Sequence, residues 1–378
     1  MKKLLSVLFA MVLLFGMMFP SATIFANDAT TDEYLVQFDG NVERGILKAF
    51  GVSNNEVLHT FTLLSVVSLK LTEQQAKGLA NHPKIKGVEK NAAVQALGQT
   101  IPWGVPKVQT PEANNLGYTG NGLKVAILDT GIDRSHPDLN ANVKGGFSVF
   151  TDSANSDPYY DGSGHGTHVA GTVAAVDNDF GVVGVAKNAD LYAVKVLNNS
   201  GSGSYEGIAK GIEWSIQNGM DIINMSLGGS SSSSILEQFC NLAYAEGILV
   251  VAAAGNSGNS GGRNDSVGYP AKYNSVIAVA AIDQNERRAS FSSTGPAVEL
   301  SAPGVSILST TPNNSYASYN GTSMASPHVA GVAALIWEAK PNLTNVQLRQ
   351  LLQQTSKNLG LSSQYGYGLV QAATAIQY

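Results

Sequence analysis

From residue 123 onward, short, mainly apolar runs alternate with segments whose apolar side chains recur every three to four residues. The runs at 123–128, 191–196, 221–225, 248–253 and 276–281 have the length and composition of strands buried on both faces. The segments 167–175, 205–217, 235–245, 323–338 and 345–355 predict helices. Strands of that kind separated by helices predict an α/β class with a mostly parallel sheet covered on both sides. Ligands bind such sheets at the carboxyl ends of the strands, so a polar residue closing an apolar run is a candidate for chemistry.

The preceding segment has another rhythm. Residues 33–38, 56–60, 64–71 and 85–89 predict strands, and 42–50 and 73–81 predict helices, in the order of a small ferredoxin-like α+β unit. Residues 91–100 follow neither period, as an exposed linker would. Before this, Lys2 and Lys3 precede residues 4–19, which are apolar apart from Ser6 and Gly16, and small residues follow. That is the pattern of an export signal, with cleavage expected after Ala26 so that Asn27 becomes first, although Ile24 is an unusual residue three places before the cut. The stretch is short for a bilayer and lacks a basic flank, so a secreted chain without a stable membrane anchor is expected. Three segments result: a signal at 1–26, a small domain at 27–97 and a main body at 98–378.

Composition narrows the class. Of 378 residues, only 13% are charged and 44% are hydrophobic, and the net charge is −5, which excludes a disordered chain. No basic patch is large enough to follow a phosphate backbone, so nucleic acid is not an expected partner. The single cysteine, Cys240, falls in a helical pattern and reads as a buried small apolar residue. A secreted chain without disulfides needs another stabiliser.

Three motifs carry candidate chemistry. Asp129 closes an apolar run in Val-Ala-Ile-Leu-Asp-Thr-Gly, residues 125–131. A carboxylate at a buried strand end is costly unless paired, and a histidine N–H is a suitable partner; a turn cap is its plainer role. Gly164-His165-Gly166-Thr167-His168 opens a helix after a polar loop. His165 is expected just before the helix proper, where an imidazole can face a cleft while a carboxylate orients it. A zinc pair of His165 and His168 lacks both the glutamate of the helical metalloprotease motif and a third ligand, so His168 reads as a packed structural histidine. Asn320-Gly321-Thr322-Ser323-Met324-Ala325-Ser326-Pro327 leads into a helix of small residues. A serine there has backbone N–H groups and the favourable end of the helix dipole nearby, but Thr322 and Ser326 are competing hydroxyls and an N-cap is the bland alternative. Gly258-Asn259-Ser260-Gly261-Gly262 has the spacing of a hydrolase nucleophile elbow, yet a glycine-rich loop follows where a helix would have to begin, so it reads as surface loop.

Asp129, His165 and Ser323, in that order and within these motifs, resemble the subtilase family of serine proteases, a resemblance running from about Tyr34 to Tyr378. It implies a three-layer subtilisin-like α/β catalytic domain preceded by a ferredoxin-like propeptide that serves as intramolecular chaperone and inhibitor. It further implies Ser323 as nucleophile, His165 as general base and acid, Asp129 as the group orienting the imidazole, and Asn256, in Ala253-Ala254-Gly255-Asn256, as an oxyanion donor. Gly201-Ser202-Gly203 and Ser226-Leu227-Gly228 are implied to hold substrate as an added strand. Ala253, Gly255 and Gly268 would line a roomy first pocket for a large apolar side chain, with Tyr205 and Ile208 at the rim of the fourth. With Ser257 at the first pocket's mouth, little preference for lysine or arginine is expected.

The junction Val94-Gln95-Ala96-Leu97 presents Leu97 and Val94 to those pockets, so self-processing between Leu97 and Gly98 is expected. The resemblance also implies structural Ca²⁺, with Gln99, Asp138 and Asn178 as side-chain ligands and the carbonyls of Val176, Phe180 and Val182 completing an oxygen shell. Two stretches depart from the family's shorter members: residues 129–165, with Tyr159, Tyr160 and Asp161, and the loop 256–268. The expectation is therefore a secreted, calcium-stabilised, monomeric serine endopeptidase that acts on proteins and peptides and is made as a self-processing zymogen. A non-enzymatic binding protein on this scaffold would lack a triad or oxyanion residue, and none is missing; an esterase would be confined to esters.

Overall fold

The computed structural model describes residues 31–92 and 98–378. The expected signal, its cleavage point at Ala26 and Asn27, and Leu97 of the processing junction lie outside the described residues. The chain divides between Ala96 and Leu97 into two compact units.

In the small unit, β1 (Thr31–Phe38), α1 (Arg44–Ala49), β2 (Val57–Thr60), β3 (Val66–Thr72), α2 (Glu73–Ala80) and β4 (Ile85–Lys90) follow in the predicted order. The strands lie side by side as β2-β3-β1-β4, each pair antiparallel, which is the ferredoxin-like arrangement. Val36, Leu47, Leu69, Leu71 and Leu79 form its core. Helix α2 begins where Thr72 Oγ1 accepts the Gln75 N–H at 3.2 Å and Gln75 Oε1 accepts the Thr72 N–H at 2.9 Å, a reciprocal cap.

In the large unit, α3 (Gly104–Lys107) and α4 (Thr110–Asn115) precede β5 (Lys124–Asp129), β6 (Val143–Ser148), α5 (His165–Ala174), β7 (Asp190–Lys195), α6 (Tyr205–Gln217), β8 (Ile222–Met225), α7 (Ser234–Ala245), β9 (Leu249–Ala253), β10 (Ile277–Ile282) and β11 (Val298–Pro303). A hairpin, β12 (Ile307–Thr311) with β13 (Ser315–Tyr319), then leads to α8 (Thr322–Ala339), α9 (Asn345–Thr355), α10 (Ser362–Tyr365) and α11 (Ala372–Gln377). Seven strands form a parallel sheet in the order β11-β10-β9-β8-β5-β7-β6.

The mainly apolar runs follow from burial on two faces. Val125 and Ile127 of β5 pack with Val169, Val173 and Val329 of α5 and α8, whereas Ala126 and Leu128 pack with Ile208, Ile212 and Leu236 of α6 and α7. Cys240 sits in the second core, and burial pushes its thiol pKa up to about 12, so it is inert at ordinary pH. The sheet's winding reverses between β5 and β8: β6 and β7 lie on one side, β9 to β11 on the other. The crevice outside the carboxyl ends of two such strands is where an open α/β sheet binds ligands. Asp129 ends β5, and Ser226 follows directly after β8.

Candidate active site

Helix α5 starts at His165, with Gly164 as its N-cap at φ +83°, so His165 is the first helical residue and not, as expected, a residue of the preceding loop. Gly166 lets the helix press on the end of β5: a Cβ there would stand 2.2 Å from the Gly131 carbonyl oxygen. This close approach puts His165 Nδ1 2.7 Å from Asp129 Oδ1, which also accepts the Thr130 N–H at 2.8 Å. A carboxylate only accepts, so Nδ1 carries the hydrogen and Nε2 is left as the basic atom. Asp129 is fully buried, and among the described residues its Oδ2 has no hydrogen-bond partner. Burial alone would push the His165 imidazole down, but the charge and hydrogen bond of Asp129, with the more distant charge of Asp161, outweigh it and hold the pKa above its usual value.

His168 is a structural residue. Its Nε2 lies 2.9 Å from the Ile307 carbonyl and 3.1 Å from that of Ala317, its ring stacks on Tyr319, and burial lowers its pKa to about 4. Among the described residues no group of three or more His, Cys, Asp or Glu side chains could hold a metal ion.

Three hydroxyls compete at the start of α8, and their partners separate them. Thr322 is buried: its Oγ1 donates to Asn256 Oδ1 at 3.0 Å and accepts the Gly255 N–H at 3.1 Å. Ser326 is buried and donates to Asn224 Oδ1, whose Nδ2 in turn donates to Ser226 Oγ at 3.0 Å. Ser323 alone is partly exposed. Its Oγ donates to the Ser226 carbonyl at 3.1 Å, while Ser226 Oγ donates back to the Ser323 carbonyl at 2.8 Å. Thr322 also donates its N–H to Asn256 Oδ1 at 3.0 Å. Two donors on that oxygen leave Asn256 Nδ2 turned outward: it and the Ser323 N–H nitrogen stand 3.5 and 3.6 Å from one point, the place a Gly321 Cβ would occupy.

Two clefts meet along residues 227–230. One, about 720 Å³, is lined by His165, Gly201, Ser202, Gly203, Tyr205, Ile208, Ser226, Leu227 and Gly228. The other, about 540 Å³, is lined by Ser323 and Asn256 with Ala253, Gly255, Ser257, Gly268 and again Leu227 and Gly228. The structure thus brings the expected substrate residues onto the surface between the His165 and Ser323 sides. It adds a pair that the sequence reading missed. Asp265 and Lys272 line the second cleft, 2.7 Å apart, so a carboxylate does stand in that wall, paired with a lysine. The loop bearing Asp265 has no period that would have signalled it.

The residues expected to bind calcium also converge. Gln99 Nε2 lies 2.7 Å from the Val176 carbonyl, 3.2 Å from that of Val182 and 3.4 Å from Asn178 Oδ1. Fully buried Asp138 accepts from Asn178 Nδ2 at 3.1 Å and from the Val182 N–H at 2.9 Å. Phe180 joins through its N–H, 3.4 Å from Asn178 Oδ1.

Comparison with known proteins agrees with this geometry. Residues 120–368 match the model of the subtilase family, and residues 27–97 that of peptidase inhibitor I9. The chain is 51% identical over 356 residues to a thermostable alkaline protease of Halalkalibacterium halodurans, covering 93% of this chain and 95% of that protein. It is 46% identical over 386 residues to subtilisin J of Geobacillus stearothermophilus and to subtilisin E of Bacillus subtilis, covering 100% of this chain and 99% of each. With a parallel sheet whose switch point holds the Asp129–His165 pair, an I9 propeptide segment and relatives of this kind along the whole chain, the protein belongs to the subtilase family and is a serine endopeptidase.

Proposed function

We propose that the chain hydrolyses peptide bonds through an acyl-enzyme formed on Ser323, with His165 as general base and acid and Asp129 as its orienting carboxylate. The observation that carries this reading is the 2.7 Å contact between His165 Nδ1 and Asp129 Oδ1. It leaves Nε2 basic and facing the cleft that adjoins Ser323. A substrate strand lies against Gly201, Ser202 and Gly203 on one side and Ser226, Leu227 and Gly228 on the other, bound by main-chain hydrogen bonds. Ser323 Oγ rotates from the Ser226 carbonyl to His165 Nε2, a bond that tightens only once substrate is bound. His165 takes the proton as Oγ attacks, and the Ser323 N–H and Asn256 Nδ2 receive the developing oxyanion. The imidazolium then gives its proton to the leaving amine, and water repeats the sequence to release the acid.

The pocket of Ala253, Gly255 and Gly268 takes a large apolar side chain before the scissile bond, because Asp265 and Lys272 in its wall neutralise one another. Tyr205 and Ile208 bound the fourth pocket. The full chain is secreted through the signal at residues 1–26, which is cleaved between Ala26 and Asn27, matures by its own cut between Leu97 and Gly98, and acts as a monomer. Residues 27–97 act as its intramolecular chaperone and inhibitor.

The set Gln99, Asp138, Asn178 and the carbonyls of Val176, Phe180 and Val182 fits Ca²⁺, because three of these oxygen-bearing groups already crowd the Gln99 amide and Asp138 supplies a buried carboxylate. A bound Ca²⁺ ion supplies cross-linking of Gln99 to the turn after α5 where no disulfide exists. Chelation is expected to speed thermal inactivation of the parent and to leave Asp138→Asn, already faster to inactivate, unchanged.

The experiment that tests the whole reading compares the parent with Ser323→Ala. The parent is expected to start at Gly98 and digest casein, and the variant to keep its prosegment and digest nothing. A variant that matures and digests like the parent would refute the assignment.

A further inference from the structure

The loop between β6 and α5 carries a second buried carboxylate, Asp161, only 4% exposed. It accepts hydrogen bonds from the N–H groups of Ser163 at 3.2 Å, Gly164 at 2.8 Å and Thr167 at 2.8 Å, and from Thr167 Oγ1 at 2.7 Å. Thr167 lies in the first turn of α5, which bears His165, Gly164 is its N-cap, and Ser163 directly precedes the cap. Its Oδ1 also accepts Thr130 Oγ1–H at 2.8 Å, and Thr130 Oγ1 accepts the Gly166 N–H at 2.9 Å. Thr130 is the residue whose own N–H holds Asp129 Oδ1. One carboxylate therefore ties the Asp129 strand end to both sides of His165.

Lys195, fully buried at the end of β7, completes the arrangement. Its Nζ donates to the Thr130 carbonyl and, at 2.9 Å, to Asn199 Oδ1, which also accepts the Gly162 N–H at 3.2 Å. A buried ammonium is tolerable only near opposite charge, and Asp129 and Asp161 supply it; burial nonetheless lowers the Lys195 pKa.

We propose that Asp161, backed by Lys195, is a positioning residue for catalysis: it holds the Asp129–His165 pair in register through Thr130 and biases His165 toward accepting a proton. This rests on the reading of His165 as the general base. Before proton transfer the buried groups Asp129, Asp161 and Lys195 leave one uncompensated negative charge; after transfer the imidazolium cancels it. Among the described residues, the charged and titratable groups around His165 include Asp129 from β5, Asp161 from the loop, Lys195 from β7, which reaches Thr130, and His168 on its own helix, with Tyr319 of β13 and His328 of α8 beside His168. An ordinary helix cap would affect stability alone.

The test uses self-matured full chain, with active sites counted by a serine-directed covalent reagent. Asp161→Asn is expected to lower kcat about ten- to hundredfold with KM nearly unchanged. Because the lost charge favoured the imidazolium, the acid limb of kcat/KM is expected to move to lower pH. Should Asp161→Asn fail to mature, Thr130→Val removes the bridging hydroxyl while keeping both carboxylates; its kcat is expected to fall, and Thr130→Ser to restore it. Unchanged kcat with only a lower Tm, a lowered kcat without movement of the limb, or a Thr130→Val variant as fast as the parent would each overturn the proposal. Loss of the underlying reading is distinguishable, because His165→Ala would then keep the parent's activity.

Discussion

The two walls of the site are built from different chemistry. The wall formed by the ends of β5 and β7 and the start of α5 buries Asp129, Asp161 and Lys195 around His165. The wall formed by the ends of β8 and β9 and the start of α8 buries Asn224, Ser226, Thr322 and Ser326, all neutral, around Ser323 and Asn256. In the proposed mechanism, charges stand where the proton moves, since a fixed charge shifts a proton affinity strongly in a low dielectric. In the same mechanism, neutral dipoles stand where the oxyanion is received, since they solvate the transient charge without attracting a cation beforehand. Each wall is rigid for its own reason: hydrogen bonds to carboxylates on one side, a reciprocal serine pair and an asparagine locked by Thr322 on the other.

That contrast can be broken from either side. The largest effect is expected on the charged wall, where His165→Ala should lower kcat/KM by about 10²–10⁴-fold. In the proposed mechanism His165 has to be neutral to accept a proton, and Asp129 holds its pKa above the ordinary imidazole value, so activity should be lost on the acid side at a higher pH than an unperturbed histidine would give. On the neutral wall, Asn256→Ala removes one hydrogen bond to a charged oxygen, worth about 1.5–3 kcal/mol. Steady-state kinetics should show a roughly ten- to hundredfold fall in kcat at similar KM, because the bond is made only in the transition state. A fall confined to KM would place Asn256 in substrate binding instead.

The smallest effect is expected in the pocket wall. Lys272→Gln frees Asp265 and should improve cleavage after lysine a few-fold relative to phenylalanine, with Asp265→Asn giving the mirror result after glutamate. Partly exposed ion pairs of this kind are worth only about 0.2–1 kcal/mol. Matched peptides differing at that one position would measure both.

The sequence made β5, β7, β8, β9 and β10 legible because burial on both faces keeps their runs mainly apolar, with few polar residues such as Asn224 and Lys195. It hid β6, where Gly145 and Gly146 break the run, and β11, whose buried Glu299 looks like a surface residue until Arg349 is seen gripping it at 2.7 and 2.5 Å. The β12–β13 hairpin was hidden by its polar strands. At the site, motif residues could be picked out by type and neighbours and the resemblance implied Ser323, whereas the different hydrogen-bond partners of Thr322, Ser323 and Ser326 could not be read from the sequence. Asp161 and Lys195 were readable only as a loop acid and a strand-end base, since what makes them informative is long-range: 31 residues separate Asp161 from Thr130, and 65 separate Lys195 from it.

The claim at the centre is that Ser323 is the hydroxyl that the charged wall activates. The direct measurement treats the matured parent with a serine-directed phosphonylating reagent and locates the adduct by peptide mass spectrometry. One adduct per molecule on Ser323, formed in step with loss of proteolysis and absent from His165→Ala, is the predicted result. An adduct on Thr322 or Ser326, or full labelling of Ser323 with proteolysis intact, would contradict it.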